Sequence, residues 1–326
     1  MSESLNSARN DTRKKIVPDR QDMKGKLRSI VRSLRNNELI WRYGFNFSPS
    51  LKYSIGTNGG LNKIEKSVLN GLNQHGIALE SIDDLFVDGS EFSELGSAVE
   101  GMLISRKEEI AALESSAADS VKIGSKTFNL ELLGSELTFS YSDIFSRFAL
   151  NPAILNIANA YLQMYAKLRY YNVWYTFATD AAPRESQLWH FDREDNYILK
   201  IFVYLRDVEA GTGPFTYAPG THRKGAYWNR KPESFNENNV LRTTDEQMNV
   251  VVPKEKWITA TGKKGTVIFA DTRGYHKGGE ARTDNRLMYT CMFTSPASDS
   301  KQLLNYPISN NIQHLNKKQR LALRIR

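Results

Sequence analysis

Apolar positions recur at helical spacing through the first half of the chain. The period appears in two runs, one formed by Leu61, Ile64, Val68, Leu69 and Leu72 and the other by Phe92, Leu95, Val99, Leu103, Ile110 and Leu113. Residues three or four apart lie on one face of a helix, so each run predicts an amphipathic helix. Another helix is predicted to begin at Asn151, because asparagine caps free backbone amides and Pro152 suits the first turn.

Beyond this helix the pattern changes to that of β-strands. Six segments are rich in aromatic and β-branched residues and are bounded by turn-forming residues: 169–178, 196–205, 213–219, 257–262, 265–271 and 286–294. Most of them follow one another with no helical pattern between them, which favours a jelly roll or a similar barrel-like sandwich.

These patterns divide the chain into four predicted parts. Residues 1–58 are polar and basic, include a candidate helix at 23–34, and are expected to be only partly ordered. Residues 59–150 form a helical region, residues 151–296 form the β core, and residues 297–326 form a basic C-terminal tail. We therefore expect a mainly β core with a helical N-terminal half packed around it.

The formal net charge of +8 is concentrated at the two ends of the chain. Residues 13–35 contain nine basic and two acidic side chains, and residues 317–326 contain five basic and no acidic ones, which leaves −4 for the remainder. Basic ends can contact phosphates, but solvated arms and helix faces are the more ordinary explanation. No nucleic-acid recognition motif accompanies them, so nucleic acid is not an expected partner.

Cys291 is the only cysteine, which excludes an internal disulfide framework and a zinc site built from several thiolates. The N-terminal residues lack the apolar core of a signal peptide. No stretch approaches the roughly 18 apolar residues of a membrane span. The sequence therefore predicts a soluble, cytoplasmic protein.

A candidate metal site begins with His190 and Asp192, which stand two residues apart just ahead of a predicted strand. On extended backbone such residues point to one face, so together they offer two ligands to one metal ion. The preferred third ligand is His276, in a loop after the segment 265–271, and the alternative is His222, in a Pro-Gly turn. Two histidines and one carboxylate leave three positions of an octahedral metal open, which is the arrangement of non-haem Fe(II) oxygenases.

Two basic residues are candidates for binding a cosubstrate. Arg286 opens the segment 286–294, and an arginine inside a barrel is costly unless its guanidinium meets a carboxylate. We assign that carboxylate to 2-oxoglutarate. Arg282 is the competitor, but it lies in a polar loop. Lys200 interrupts the segment 196–205 and is the second candidate, although a lysine in mid-strand usually faces solvent.

Residues 140–295 resemble the phytanoyl-CoA dioxygenase-like oxygenases, within the superfamily that depends on Fe(II) and 2-oxoglutarate. The resemblance rests on WHFD with His190 and Asp192, the turn GTGPFTYAPGTHRKG, GYHKGG with His276, and RLMY beginning at Arg286. It implies a double-stranded β-helix (jelly roll, cupin-like) that binds Fe(II) through His190, Asp192 and His276. It also implies 2-oxoglutarate as cosubstrate and O2 as oxidant, with His222 not a ligand.

The reaction implied is hydroxylation of a substrate with release of succinate and CO2. Related halogenases have alanine or glycine where this chain has Asp192, so the aspartate favours hydroxylation. Phe202 stands where the family often has tryptophan, and residues 1–130 match no pattern of the family. The resemblance therefore implies no particular substrate.

A small-molecule substrate is expected. The basic segment 222–231 would suit an anionic one, although a solvated loop is the simpler explanation. Two other classes of protein remain open. One is a cupin-like metalloenzyme that does not use 2-oxoglutarate, and the other is a non-catalytic barrel whose basic ends bind an anionic partner.

Overall fold

The computed structural model describes residues 31, 34–56, 60–119, 127–237, 241–298, 300, 301, 303–305 and 312–325. The candidate helix at 23–34 lies outside these residues except for positions 31 and 34. Within the described ranges, no helix is both long enough and apolar enough to cross a lipid bilayer.

Most of the described strands form two antiparallel sheets. The strands are β1 (Ile77–Ser81), β2 (Asn129–Glu131), β3 (Leu137–Thr138), β4 (Lys167–Thr176), β5 (Leu199–Tyr204), β6 (Phe215–Tyr217), β7 (Ile258–Ala260), β8 (Thr266–Asp271), β9 (His276–Lys277), β10 (Arg286–Thr294) and β11 (Leu304–Asn305). The larger sheet has the order β1-β8-β5-β10-β4-β2, and the smaller has the order β7-β6-β9. Strand β11 pairs with β3 in parallel.

The described helices lie mostly ahead of β4 in the chain. They are α1 (Phe47–Gly56), α2 (Lys63–His75), α3 (Ile82–Leu85), α4 (Ser90–Ser105), α5 (Lys107–Asp119), α6 (Ile144–Ala149), α7 (Pro152–Leu162), α8 (Ser234–Glu237), α9 (Asp245–Val251) and α10 (Lys317–Ala322). A short π-helix spans Ile40–Phe45 ahead of α1.

The two faces of the larger sheet are covered by different layers. Because side chains alternate along a strand, Leu199, Ile201 and Val203 of β5 join the main apolar core with the helices. Phe202 of the same strand faces the smaller sheet, where its ring centroid lies 4.8 Å from that of Phe215. The molecule is therefore layered as helices, larger sheet and smaller sheet, and the space between the two sheets is lined by the alternate residues of β5.

Helix α7 begins where the sequence predicts. The Asn151 side chain accepts a hydrogen bond from the Ala153 amide at 2.9 Å, and Pro152 occupies the first turn. The helix packs its apolar face into the main core and ties itself to β8 through a hydrogen bond from the Tyr161 hydroxyl to Asp271 at 2.5 Å. The predicted helix is confirmed, and it supports the sheet from the side opposite the smaller sheet.

The region 59–150, predicted to be helical, also contains strands. Helix α2 confirms the helix predicted from the first periodic run, and the second run forms two helices, α4 and α5, instead of one. Ile77–Ser81 forms the edge strand β1 of the larger sheet. Its partner is β8, with Ile77 opposite Ala270 and Ser81 opposite Thr266. The prediction missed β1 because a five-residue segment gains its strand character from pairing with a distant part of the chain. The six predicted strand segments correspond to β4, β5, β6, β7, β8 and β10.

Candidate metal centre

The three predicted metal ligands lie together on the wall of a cavity between the two sheets. Potential ligand atoms of His190, Asp192 and His276 all lie within 4.8 Å of one another. The two imidazole ring centroids are 4.3 Å apart. Among the described residues this is the only group of histidine, cysteine or acidic side chains that meets in this way.

Backbone pairing brings the two histidines together. The His190 amide donates to the His276 carbonyl at 3.0 Å, and the His276 amide donates to the His190 carbonyl at 2.9 Å. His276 belongs to β9, so this bridge extends the smaller sheet by one more segment. The Asp192 amide donates to the Thr272 carbonyl at 2.8 Å, and the extended backbone between His190 and Asp192 turns both side chains toward the same cavity.

Both imidazoles are oriented by carbonyl groups two residues earlier in the chain. His190 Nδ1 lies 2.8 Å from the Leu188 carbonyl oxygen, and His276 Nδ1 lies 3.0 Å from that of Gly274. A carbonyl can only accept, so each Nδ1 carries the hydrogen and each Nε2 keeps a free lone pair. This is the tautomer that a metal-binding histidine adopts when a carbonyl fixes its other nitrogen.

Burial keeps both histidines neutral. It lowers the pKa of His276 to about 4. The pKa of His190 falls well below its ordinary value, first through burial and then through the nearby His276. A metal ion therefore meets two unprotonated nitrogens at neutral pH.

Asp192 is ionised and paired with Lys200. Their charged atoms are 2.7 Å apart, and Lys200 is 8% exposed, so it lies inside the molecule and not on the solvent side. Burial by itself would raise the pKa of Asp192, but Lys200 and the two histidines together lower it below its ordinary value. Burial likewise disfavours charged Lys200, but Asp192 raises the pKa of Lys200 above its ordinary value. The carboxylate is thus kept in the form that a metal requires.

Arg286, the first residue of β10, is a buried cation with spare donors. It is 4% exposed. Its Nη1 donates to the Gly213 carbonyl and its Nη2 donates to Thr176 Oγ1 at 3.3 Å, while Nε has no hydrogen-bond partner. Burial lowers the pKa of this guanidinium. In the described part of the chain no carboxylate pairs with it, so an anionic group entering the cavity would find an unmatched positive charge.

The cavity that joins these groups measures about 290 Å³. His190, Asp192, Lys200, His276 and Arg286 all line it. Gly278 lines it as well, and a Cβ atom there would lie 3.6 Å from Arg286 Nη2 and 3.5 Å from the Ser186 carbonyl oxygen. The absence of a side chain at Gly278 leaves the approach to the guanidinium open.

The alternative candidates lie elsewhere. His222 is fully buried outside the metal group, with Nε2 placed 3.2 Å from the Asn73 carbonyl oxygen. Arg282 does not reach the cavity, because its Nη1 donates to the carbonyls of Thr179 and Ala181, the latter at 2.8 Å. No cavity-lining residue comes from the basic segment 222–231. Arg223 of that segment instead lies over the ring of Trp228 at 5.7 Å.

Sequence reasoning missed the segment 242–245, which contacts the residues next to the proposed metal ligands. Thr243 pairs with Trp189 through two backbone hydrogen bonds, and Asp245 accepts a hydrogen bond from the Trp189 indole at 2.7 Å. Arg242 lines the cavity and forms an ion pair with Glu185 at 3.2 Å. The only local signal for this segment is the acidic first turn of the short helix α9, which does not reveal that it adjoins the metal ligands.

Comparison with known proteins identifies the family. The family model described as phytanoyl-CoA dioxygenase matches residues 109–288, which is more than half of the chain. No curated protein matches the sequence.

Solved structures of similar fold share little sequence with this chain. EctD from S. alaskensis, solved with 2-oxoglutarate and 5-hydroxyectoine, has a TM-score of 0.51 and 16% identity, covering 83% of this chain and 89% of its own. The epimerase SnoN, solved with Fe3+, alpha ketoglutarate and nogalamycin RO, has a TM-score of 0.48 and 17% identity, covering 76% and 96% of the two chains. The likeness to EctD concerns the fold alone. By the match of its family model, the chain belongs to the phytanoyl-CoA dioxygenase family.

Proposed function

We propose that this member of the phytanoyl-CoA dioxygenase family is a non-haem dioxygenase that uses Fe(II) and 2-oxoglutarate to hydroxylate a small molecule. One observation carries the proposal: two neutral histidines and an ionised carboxylate converge on one point of a cavity that also contains the unmatched Arg286 guanidinium. Fe(II) suits a site of two imidazoles and one carboxylate. A dicarboxylate suits an unpaired arginine beside it.

The residues of the chain would hold and orient the reactants. His190 and His276 would bind Fe(II) through Nε2, and Asp192 through a carboxylate oxygen. When bound, Fe(II) with 2-oxoglutarate and O2 supplies the oxidation of a substrate C–H bond, with succinate and CO2 as coproducts. The protein contributes fixed ligand tautomers and a cavity whose wall places Arg286 and the three proposed ligands together. Asp192 would serve as a ligand and not as a general base, because Lys200 and the histidines lower its pKa and so make it a weak proton acceptor.

Arg286 would bind the distal carboxylate of 2-oxoglutarate with the donors that the chain leaves unused. Gly278 supports this assignment, because any side chain at this position would lie against Arg286 Nη2. For Lys200 we propose a shared role. Its ammonium balances Asp192, and its position on the cavity wall lets it contact the cosubstrate as well.

The remaining cavity wall offers aromatic faces and both signs of charge to a substrate. Aromatic side chains Tyr170 and Trp174 line it, together with the acidic side chains of Glu131 and Glu194 and the basic side chain of Arg242. An amine would meet the carboxylates and the aromatic faces, and an anionic group would meet Arg242. The expectation of an anionic substrate rested on the segment 222–231, which does not line the cavity.

The two facing antiparallel sheets support the assignment of the core as a double-stranded β-helix. Hydroxylation is the proposed outcome because Asp192 supplies a third protein ligand. The cytoplasmic location stays a prediction, which rests on the single cysteine.

The proposal is tested by anaerobic titration of the metal-free protein with Fe(II) and 2-oxoglutarate. We expect a visible charge-transfer band from the iron chelate of 2-oxoglutarate in the intact protein. The band should be lost in the His276→Ala variant and kept in His314→Ala, which removes an exposed histidine far along the chain.

Absence of the band in the folded, intact protein would contradict the proposal. Fe(II) binding that is unaffected by 2-oxoglutarate would favour a cupin-like metalloprotein. No metal binding at all would favour a non-catalytic barrel whose basic ends bind an anionic partner, which salt-sensitive binding to an anionic polymer would then test.

A further inference from the structure

Asp245 contacts the neighbours of both proposed metal-binding histidines. The residue lies at the start of α9 and does not line the cavity. Its Oδ1 accepts a hydrogen bond from Trp189 Nε1 at 2.7 Å and another from Lys277 Nζ at 2.5 Å. Trp189 directly precedes His190, and Lys277 directly follows His276. One carboxylate oxygen therefore joins the two segments that carry the imidazoles.

These contacts lie on the side of the sheet opposite the metal site. Adjacent residues of an extended segment point to opposite faces. His190 and His276 line the cavity, whereas the Trp189 side chain is fully buried in a separate apolar cluster with Met248 of α9. The Lys277 ammonium lies 5.5 Å from the centroid of the Trp189 ring. Asp245 thus contacts the two histidine-bearing segments on the face away from the cavity and does not touch any proposed ligand.

The backbone pairing of the two segments is short. His190 and His276 form an isolated bridge, and β9 has only two residues. Besides the two hydrogen bonds of this bridge, the Asp192 amide donates to the Thr272 carbonyl and the Gly278 amide donates to the Ser186 carbonyl, each at 2.8 Å, so backbone contacts join the segments on both sides of the histidines. Thr243 forms a further isolated bridge with Trp189. Asp245, two residues after Thr243, adds a side-chain link that spans both segments.

We propose that Asp245 is a positioning residue that sets the spacing of His190 and His276 by holding Trp189 and Lys277 on one oxygen. The inference rests on the proposed function, because it assigns these histidines to a metal. Without Asp245 the buried indole N–H of Trp189 loses its acceptor and Lys277 loses its counter-charge. The backbone hydrogen bonds remain, but the side-chain link on this face is lost, so we expect the two segments to twist more easily and the separation of the imidazole nitrogens to vary more.

The test compares Asp245→Ala with the intact protein in two measurements. The first is the affinity for Co(II), together with the Co(II) ligand-field spectrum, which reports the ligand geometry. We expect Asp245→Ala to bind Co(II) about ten- to a hundredfold more weakly and to change the spectrum, the range found when outer partners of metal ligands are removed. Asp245→Asn keeps an acceptor without the charge, so it should recover part of the affinity.

Asp207→Ala is the matched control, because Asp207 forms a carboxylate–lysine pair with Lys263 at 2.8 Å on the exposed surface. Its Co(II) affinity and spectrum should equal those of the intact protein. If Asp245→Ala matches the control in both readouts while its unfolding temperature falls, Asp245 is merely structural and the inference is overturned. If Asp245→Ala does not fold, Trp189→Phe and Lys277→Met each remove a single donor. Unchanged Co(II) binding in both of them overturns the inference as well.

The second measurement is backbone hydrogen exchange in the metal-free protein. Peptides that cover 188–192 and 275–278 should exchange faster in Asp245→Ala than in Asp207→Ala. This readout separates the two proposals: if the intact protein binds neither Co(II) nor Fe(II), the proposed function fails. Exchange still decides the positioning role, because unchanged protection of both segments overturns it.

Discussion

The two groups of polar residues in the cavity satisfy their hydrogen bonds and charges differently. At the metal group, carbonyl oxygens hold both imidazole Nδ1 atoms, and Lys200 lies 2.7 Å from Asp192. At the Arg286 group, the guanidinium donates hydrogen bonds to one carbonyl and one hydroxyl of the described residues, and its Nε has no hydrogen-bond partner among them. In the metal group the charge of Asp192 is balanced by Lys200. In the Arg286 group the positive charge has no carboxylate partner among the described residues.

The metal group is therefore preorganised, whereas the Arg286 group depends on a bound ligand to balance its charge. The metal group has its tautomers and charges set before any ligand arrives, so changes there should act on metal affinity. The Arg286 group carries a desolvation cost that an incoming carboxylate would relieve. Changes there should act on cosubstrate affinity and on the stability of the free protein.

The largest expected effect is at the metal group. His276→Ala removes one of three ligands, so Fe(II) affinity should fall by more than about a hundredfold, beyond the loss expected for outer partners. Anaerobic equilibrium titration measures it. His314→Ala should bind as the intact protein does, and retention of tight, stoichiometric binding by His276→Ala would remove His276 from the ligand set.

The next largest effect is a loss of 2-oxoglutarate affinity without a loss of Fe(II) affinity, which would distinguish the Arg286 group from the metal group. Arg286→Ala should weaken 2-oxoglutarate binding by about 2–5 kcal/mol, as when one partner of a buried charge pair is truncated. Fe(II) affinity should stay within a few fold, because Arg286 is not a ligand. Calorimetric titration of 2-oxoglutarate into the protein with metal bound measures the loss. Arg286→Lys should recover only part of it, since an ammonium lacks the two-pronged geometry of a guanidinium. If Arg286→Ala weakened Fe(II) and 2-oxoglutarate binding equally, the two groups would not have the separate roles assigned to them.

A smaller effect concerns pH. The pKa of His276 is about 4 in the folded protein, against roughly 6.5 when unfolded. Between these values the unfolded chain binds the extra proton, so unfolding free energy is full above about pH 6.5 and falls as the pH drops toward 4. We expect a loss of about 1–3 kcal/mol from this group in the metal-free protein, measured by urea unfolding at pH 7 and pH 5. The loss should shrink in His276→Ala, and an equal pH dependence in that variant would contradict the assignment.

The smallest expected effect is the gain in unfolding free energy when the buried, unpaired charge of Arg286 is removed. Arg286→Met removes an unmatched buried charge and keeps apolar volume, so the unfolding free energy of the protein without cosubstrate should rise by about 1 kcal/mol. Chemical denaturation measures the change. Arg206→Met, at a side chain 40% exposed, is the control and should stay within about 0.5 kcal/mol. A clear destabilisation by Arg286→Met would mean that Gly213 and Thr176 already satisfy the guanidinium.

Much of the site was predictable because its residues follow local rules. The spacing of His190 and Asp192 on extended backbone predicts one shared face, and both side chains line one cavity. Arg286 was singled out because an arginine in a buried strand needs an anion, and it is indeed buried without a carboxylate partner in the described ranges. The six strand segments were visible because alternation and β-branched composition act over a few residues.

Other features could not be predicted, since they depend on partners distant in the sequence. Lys200 was a candidate for binding the cosubstrate, but its ion pair with Asp192 could not be predicted, because a lysine in mid-strand usually faces solvent. The edge strand β1 forms only because β8 is available to pair with it. Asp245 belongs to the acidic first turn of α9, but nothing in the local sequence indicates that it lies next to both Trp189 and Lys277.

The sequence by itself determined which groups are available: a family pattern, two histidines and a carboxylate in ligand order, and an arginine that opens a strand. The tertiary structure decided how those groups are balanced, by choosing the tautomers, pairing Lys200 with Asp192 and leaving Arg286 unmatched. The physical reason is that alternation and spacing act between neighbours in the chain. Burial and charge pairing act between neighbours in space, which the folding of the two sheets brings together.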